Sequence, residues 1–327
     1  MKKFALFLAI FMLVSTTALV TGCANDDAQD EDRVLRFALV LPIPEANEVW
    51  AATYEGFRDA TEQLGIEAII MATATVFDVV QLNALYEAAM AEGVDGIVTY
   101  GLNPAAQAPA LRELDEAGIP YVMVNSDAVD SNRIAFIGTG DLLGEVGGRA
   151  IREAFGDRPI RFATGLFALD APIAISLHNA YLRELEQAPD FEELVIVHTA
   201  GDQLVALREW TNALVAHPEI NAGMNIDGFG GLGAARAMRE LGFAPGDIMM
   251  IAIDDVPETL SGIRDGYLYA TMTQNFYRKG FEPVLWLRDY VLYGTRPAQE
   301  INDSGTIMVT MDNIDTFHLD MRDPNAW

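Results

Sequence analysis

The 327-residue chain carries 48 Asp and Glu residues against 21 Lys and Arg, a formal net charge of −27 at pH 7. A field of that sign repels a phosphate backbone and excludes nucleic acid as a partner. A single cysteine excludes an internal disulfide, and the length allows roughly two domains, with cores large enough to need none.

The first elements concern location. Residues 1–22 predict an export signal: Lys2 and Lys3, an apolar run from Phe4 to Val14, then Val20-Thr21-Gly22 stopping at Cys23. The ending V-T-G-C resembles the lipobox of bacterial lipoproteins, which implies cleavage before Cys23, lipidation of its thiol and attachment to a membrane of the cell envelope. An uncleaved amino-terminal anchor is the alternative. Residues 23–33, with Asp26, Asp27, Asp30, Glu31 and Asp32, predict an acidic tether kept extended by self-repulsion. The alternating ligands and glycine turn of a calcium loop are missing there. Acids elsewhere are spread along the whole chain and read as a solvated coat.

From Val34 onward short apolar runs alternate with amphipathic stretches of helical length. The runs Leu35 to Leu41, Glu67 to Met71, Gly96 to Tyr100 and Tyr121 to Asn125 predict strands of one sheet. Those at Ile160 to Thr164, Glu193 to His198, Ala222 to Ile226 and Ile248 to Asp254 predict a second. Between them lie helices such as Val49 to Leu64, closed by a glycine cap at Gly65. The order predicts an α/β protein of two doubly wound open sheets. No low-complexity linker separates them, so several crossings join the lobes.

The segments LVLPIPEANEVWAATYEGFRDATEQLG, GVDGIV, EAGIPYVMVN, LVAHPEIN, GAARAMRELG, IAIDDVPETLSGIRDGYLYATMTQN and TIMVTMDN follow one another in order. Together they resemble the sugar-binding branch of the periplasmic binding proteins, the ribose- and galactose-type receptors of ABC transporters. The resemblance runs from Leu35 to about Asn313. It implies a type I fold of two lobes with a three-crossing hinge, the crossings falling near Asn125 to Ile137, Thr273 to Tyr277 and Ser304 to Met308. The expected lobes are 34–130 with 275–303, and 131–274 with 304–320. Ligand is expected in the cleft between them.

The resemblance also implies site residues and shows departures. Asn47-Glu48-Val49-Trp50 stands where such receptors place the aromatics that flank a sugar ring, so Trp50 stays and its partner becomes Val49. Asn125 replaces a usual aspartate, and Leu177 aligns with a usual arginine. Asp254 and Gln274 keep the family's residue types, and Asp227 aligns within one residue of an N-D pair. Tyr100, Asn103 and Asp141 fall in the corresponding mouth loops. The expected ligand contacts are therefore Asn47, Trp50, Tyr100, Asn125, Asp227, Asp254 and Gln274. With acids present and the arginine lost, a neutral sugar or polyol fits, with a cationic, amine-bearing solute as the alternative.

Gly228 to Gly233 spells G-x-G-x-x-G, with Asp254 further on, the pattern of a dinucleotide site. It lies late in an exported chain, and no nicotinamide cofactor is expected. His178, His198, His217 and His318 lack metal-ligand spacing, and no nucleophile elbow occurs. Neither a metal nor an enzymatic activity is expected. The implied role is capture of a small polar solute and its delivery to an ABC permease, with a sensory co-receptor of the same fold as the alternative.

Overall fold

The computed structural model describes residues 33–169 and 171–317. The expected signal, Cys23, nearly all of the tether and His318 lie outside the described residues. Twelve strands are described: β1 (Arg36–Leu41), β2 (Glu67–Ala72), β3 (Gly96–Thr99), β4 (Tyr121–Val124), β5 (Ala135–Gly138), β6 (Ile160–Leu166), β7 (Phe191–His198), β8 (Ala222–Asn225), β9 (Met249–Ile253), β10 (Ala270–Gln274), β11 (Ile301–Asp303) and β12 (Thr306–Val309). The α-helices among them are α1 (Ala51–Leu64), α2 (Val79–Ala91), α3 (Pro104–Glu116), α4 (Leu142–Phe155), α5 (Pro172–Leu185), α6 (Gln203–Ala216), α7 (Gly230–Leu241), α8 (Pro257–Arg264) and α9 (Phe276–Tyr293).

The strands form two six-stranded sheets, in the orders β11-β5-β4-β3-β1-β2 and β12-β10-β9-β8-β6-β7. All pairings are parallel except β10 with β12. In the first sheet Val40 lies opposite both Met71 and Thr99. Successive residues of β1 serve opposite faces, because side chains alternate along a strand. Phe37, Leu39 and Leu41 join the core beneath α1 and α9, while Ala38 and Val40 join the one beneath α2 and α3. In the second sheet Met250 and Ala252 of β9 face α6 and α7, and Ile251 and Ile253 face α4 and α5. Burial on both faces explains why these strands read as continuous apolar runs.

Helices α1 and α9 touch at backbone distance. A Cβ on Gly56 would stand 2.2 Å from the Tyr277 carbonyl oxygen, and one on Gly280 would stand 2.0 Å from that of Thr53. The expected helix from Val49 begins instead with a 3₁₀ turn, Glu48–Trp50, before α1, and Gly65 caps α1 in the left-handed conformation with φ of 65°.

One expected boundary needs correction. β5 pairs with β4 and β11 in the first sheet, so a lobe boundary at 130/131 would cut that sheet, and the first crossing lies at 139–141, not within Asn125 to Ile137. The Phe136 amide donates to the Glu300 carbonyl at 2.8 Å, and this non-local pairing fixes a four-residue strand that its own residues scarcely announce. The other passages between the sheets are Asn275, between β10 and α9, and Ser304–Gly305, between β11 and β12.

Candidate functional site

In each sheet the chain order reverses beside its first strand: β1 lies between β2 and β3, and β6 between β7 and β8. Loops leaving carboxyl ends diverge at such a point and open a crevice. The loops after β1 to β5 and those after β6 to β10 line one cavity of about 120 Å³. All seven residues singled out from the sequence line it: Asn47, Trp50, Tyr100 and Asn125 from the first sheet's side, Asp227, Asp254 and Gln274 from the second's. Asn103 and Asp141 do not. Asn103 caps α3, accepting from the Ala106 amide at 3.0 Å, and Asp141 accepts from Arg183 at 2.5 Å and from the Ser176 hydroxyl.

Asn125 and Asp254 occupy equivalent places, immediately after β4 and β9, and both adopt left-handed backbone, with φ of 65° and 64°. Asn and Asp tolerate that region best after glycine. Non-glycine residues held there cost about 1–3 kcal/mol and concentrate at ligand clamps.

The Asp254 backbone is pinned by its amide donating to the Met272 carbonyl at 2.9 Å and its carbonyl accepting from the Thr271 hydroxyl at 2.6 Å. Gln274 Nε2 donates to Asp254 Oδ1 at 3.1 Å. Burial pushes the Asp254 carboxyl up to about 7; the Gln274 bond and the Lys279 charge oppose this, and Asp255 and Asp227 reinforce it. Asp254 Oδ2 lies beside Gly228, where a Cβ would stand 3.1 Å from it. The bare backbone at Gly228 therefore leaves that oxygen approachable.

Asp227 lines the cavity with its oxygens already engaged. Oδ1 accepts from the Phe229 and Gly230 amides at 3.0 and 2.7 Å, and Oδ2 from the Thr199 hydroxyl at 2.5 Å. It holds the start of α7 at Gly230. The glycine pattern there serves packing: a Cβ on Gly231 would meet Ala252 Cβ at 2.5 Å, and one on Gly233 would meet Ala206 Cβ at 2.5 Å.

Aromatic rings shape the rest. Trp50 is buried edge-on to Tyr100 and Phe276, with ring centroids 5.8 and 5.2 Å apart. Burial pushes the Tyr100 phenol up to about 12, eased by hydrogen bonds from Asn125 and Ser126. Phe77, from the first sheet's loops, stacks on Phe167, from the second's, at 5.4 Å. Such offset pairs add about 0.5–1.5 kcal/mol beyond their buried area.

Sequence reasoning missed Lys279. Its side chain is fully buried on α9. Nζ donates to Asn125 Oδ1 at 2.5 Å and to Gln274 Oε1, and it lies 4.2 Å from the centre of the Phe276 ring. Burial pushes the ammonium down to about 7, against the pull of Asp254 and Asp303. A signal was present: the buried face of α9 runs Phe276, Lys279, Gly280, Pro283, Val284, Leu287, and a lysine inside such an apolar stripe needs a buried partner.

Several similarities to known proteins accord with this geometry. The chain is 25% identical over 281 residues to the ribose import binding protein of Salmonella typhimurium, covering 84% of this chain and 87% of that one. It is 24% identical over 294 residues to the xylose/arabinose-binding protein of Sulfolobus acidocaldarius, covering 84% and 71%. In fold it resembles a glucose-galactose binding protein from Geobacillus stearothermophilus, with a TM-score of 0.81 at 22% identity, covering 86% of this chain and 99% of that one. An ABC transporter solute binding protein from Burkholderia graminis in complex with D-arabinose also gives 0.81 at 22% identity, covering 86% and 97%. The periplasmic binding protein domain profile matches residues 37–295, and with two mostly parallel sheets opening their carboxyl ends onto one cleft, the chain belongs to the periplasmic binding protein family.

Proposed function

We propose that the protein is an extracytoplasmic receptor that captures a neutral sugar or polyol between its two sheets by hinged closure and hands it to an ABC permease. Binding is the whole of its chemistry. The observation that carries this reading is the polar chain Asp254–Gln274–Lys279–Asn125 set among aromatic and aliphatic walls. Ring edges of a sugar are polar and its faces apolar, so one side chain cluster with hydrogen-bonding capacity inside an apolar cleft suits it. The ribose, xylose and arabinose named in the relatives accord with it. Lys279 also argues against a cationic ligand. It sits within two hydrogen bonds of Asp254 and balances that carboxylate internally, so an incoming cation would meet a buried ammonium.

Cys23 is proposed as the lipidated residue that anchors the receptor in the cell envelope through the acidic tether. Titration calorimetry with D-ribose, D-xylose, L-arabinose, D-glucose and D-galactose, beside a set of amines, tests the reading. A sugar should bind with an affinity nearly independent of added salt and should shrink the particle in small-angle scattering. Binding of an amine alone, weakening steeply with salt, would refute it.

A further inference from the structure

The cleft has fewer free hydrogen-bonding groups than its family membership leads one to expect. Both carboxylate oxygens of Asp227 are taken by Thr199 and the start of α7. Asn47 Oδ1 accepts from the Val49 amide at 3.0 Å. Lys279 occupies the side-chain oxygens of Asn125 and Gln274, Gln274 Nε2 turns to Asp254, and the Asn125 amide hydrogen-bonds the Tyr100 phenol. What remains for a ligand is chiefly Asp254 Oδ2, the Asn47 amide, the Trp50 indole N–H, the Thr139 hydroxyl and one proton each of Gln274 and Asn125. No arginine lines the cavity, and the wall from the second sheet's side is Phe167, Ile173, Leu177, Ile226, Phe229 and Ile253.

A fully hydroxylated monosaccharide brings several hydroxyls, each a donor and an acceptor. Any hydroxyl pressed on that wall gives up its water and gains no partner. Resting on the sugar reading of the same cleft, we infer that the ligand is a deoxygenated monosaccharide, one whose ring or exocyclic carbon lacks a hydroxyl and lays that bare edge against Ile173 and Leu177 of α5. Its remaining hydroxyls meet Asp254 as donors and the Asn47 amide as acceptors. An apolar wall discriminates against an added hydroxyl by up to about a hundredfold.

The test is calorimetric titration of the full-length protein with matched pairs: D-galactose and D-fucose, D-glucose and 6-deoxy-D-glucose, D-glucose and 2-deoxy-D-glucose, L-mannose and L-rhamnose, D-ribose and 2-deoxy-D-ribose. The expected result is that the tightest ligand is a deoxy member, at least tenfold tighter than its hydroxylated partner. In Leu177→Gln, which gives the wall a polar partner, that ratio should fall at least threefold. A fully hydroxylated sugar that binds as tightly as its deoxy partner, or tighter, overturns the deoxygenated ligand and leaves the sugar receptor standing. Binding of no member of any pair overturns the deoxygenated ligand, and the sugar receptor falls with it if D-xylose and L-arabinose also fail to bind. Should Leu177→Gln not fold, the ratio measured on the unaltered protein decides alone.

Discussion

Replacing Lys279 by Met tests how the cleft is organised, because the exchange keeps an unbranched apolar stem of nearly the same length and removes the charge. In the folded protein the ammonium is fully buried and donates to Asn125 and Gln274. Its loss leaves two buried amide oxygens unpaired, each costing about 1–3 kcal/mol. It also lifts the desolvation of an ammonium, a penalty of about several kcal/mol in a real protein. These effects oppose each other, so net stability should change by no more than about 2 kcal/mol, a melting shift of about 2–4 °C for each kcal/mol. Binding has no such compensation. Without the ammonium both amides can turn over and offer the wrong atom to ligand and to Asp254, and affinity should fall ten- to a hundredfold, about 1.4–2.8 kcal/mol. Calorimetry and thermal melting of the same preparation separate the two effects. A variant that binds sugar with the parent's affinity refutes the positioning role, and one that is unfolded at 25 °C refutes the cancellation.

The pair also predicts a pH signature. Asp254 is raised from 3.8 to about 7, so its contribution to stability is full below pH 4 and is lost as pH rises toward 7. Lys279 is lowered from 10.5 to about 7, so its contribution is full above pH 10.5 and is lost as pH falls toward 7. Between pH 7 and 9 the parent should gain stability relative to Lys279→Met, in which Asp254 has lost its cation and binds its proton still more tightly; a melting-temperature gap that does not widen over that range contradicts the arrangement. Asp254→Asn keeps a residue at ease with left-handed backbone and removes the charge, and should weaken sugar binding by about 1.5–3 kcal/mol in calorimetry. Gly228→Ala would place a Cβ 3.1 Å from Asp254 Oδ2 and 3.2 Å from Val49 Cγ2; at least tenfold loss of affinity with little change in melting is expected. Gly280→Ala pushes α9 off the Thr53 carbonyl and should lower the denaturant midpoint by an amount equivalent to about 1–3 kcal/mol. Cys23→Ser should move the protein from the membrane to the soluble fraction, and retention in the membrane would refute lipidation.

Six of the eight strands readable from the sequence are buried along nearly their whole length, and their Val, Ile, Leu, Ala and Met content carries its own signal; β2 and β7, half-exposed at the sheet edges, keep enough apolar residues to be read as well. Of the other four, β5 and β11 depend on each other across a long stretch of chain. β5 follows the polar run Asp130-Ser131-Asn132, and β11 is three residues long, so each exists through pairing with the other. The candidate residues came from the family resemblance, and the topology accords with them, since residues at the carboxyl ends of strands in such sheets converge on one crevice. What those residues do there was less readable. Asp227 is committed to Thr199 and to the start of α7, and the hydroxyl it binds lies in a loop that only folding brings near. Asp141, placed in a mouth loop by alignment, turns to Arg183 for the same reason.

Asn125 and Asp254 hold matching positions and matching backbone in the two halves of the fold, yet differ in charge. Lys279 explains how both are accommodated. It bonds Asn125 directly and reaches Asp254 through Gln274, so a neutral amide stands where a second carboxylate would add repulsion to Asp254, Asp255 and Asp227. Its acceptors also belong to different sheets. α9 packs on the first sheet and Gln274 ends β10 in the second, with Asn275 between them at a crossing. A buried cation shared across a crossing favours the arrangement in which both acceptors are within reach, and a ligand held by Asp254, as proposed, would favour the same one. On the proposed reading, lobe closure and ligand recognition are linked through one side chain on α9.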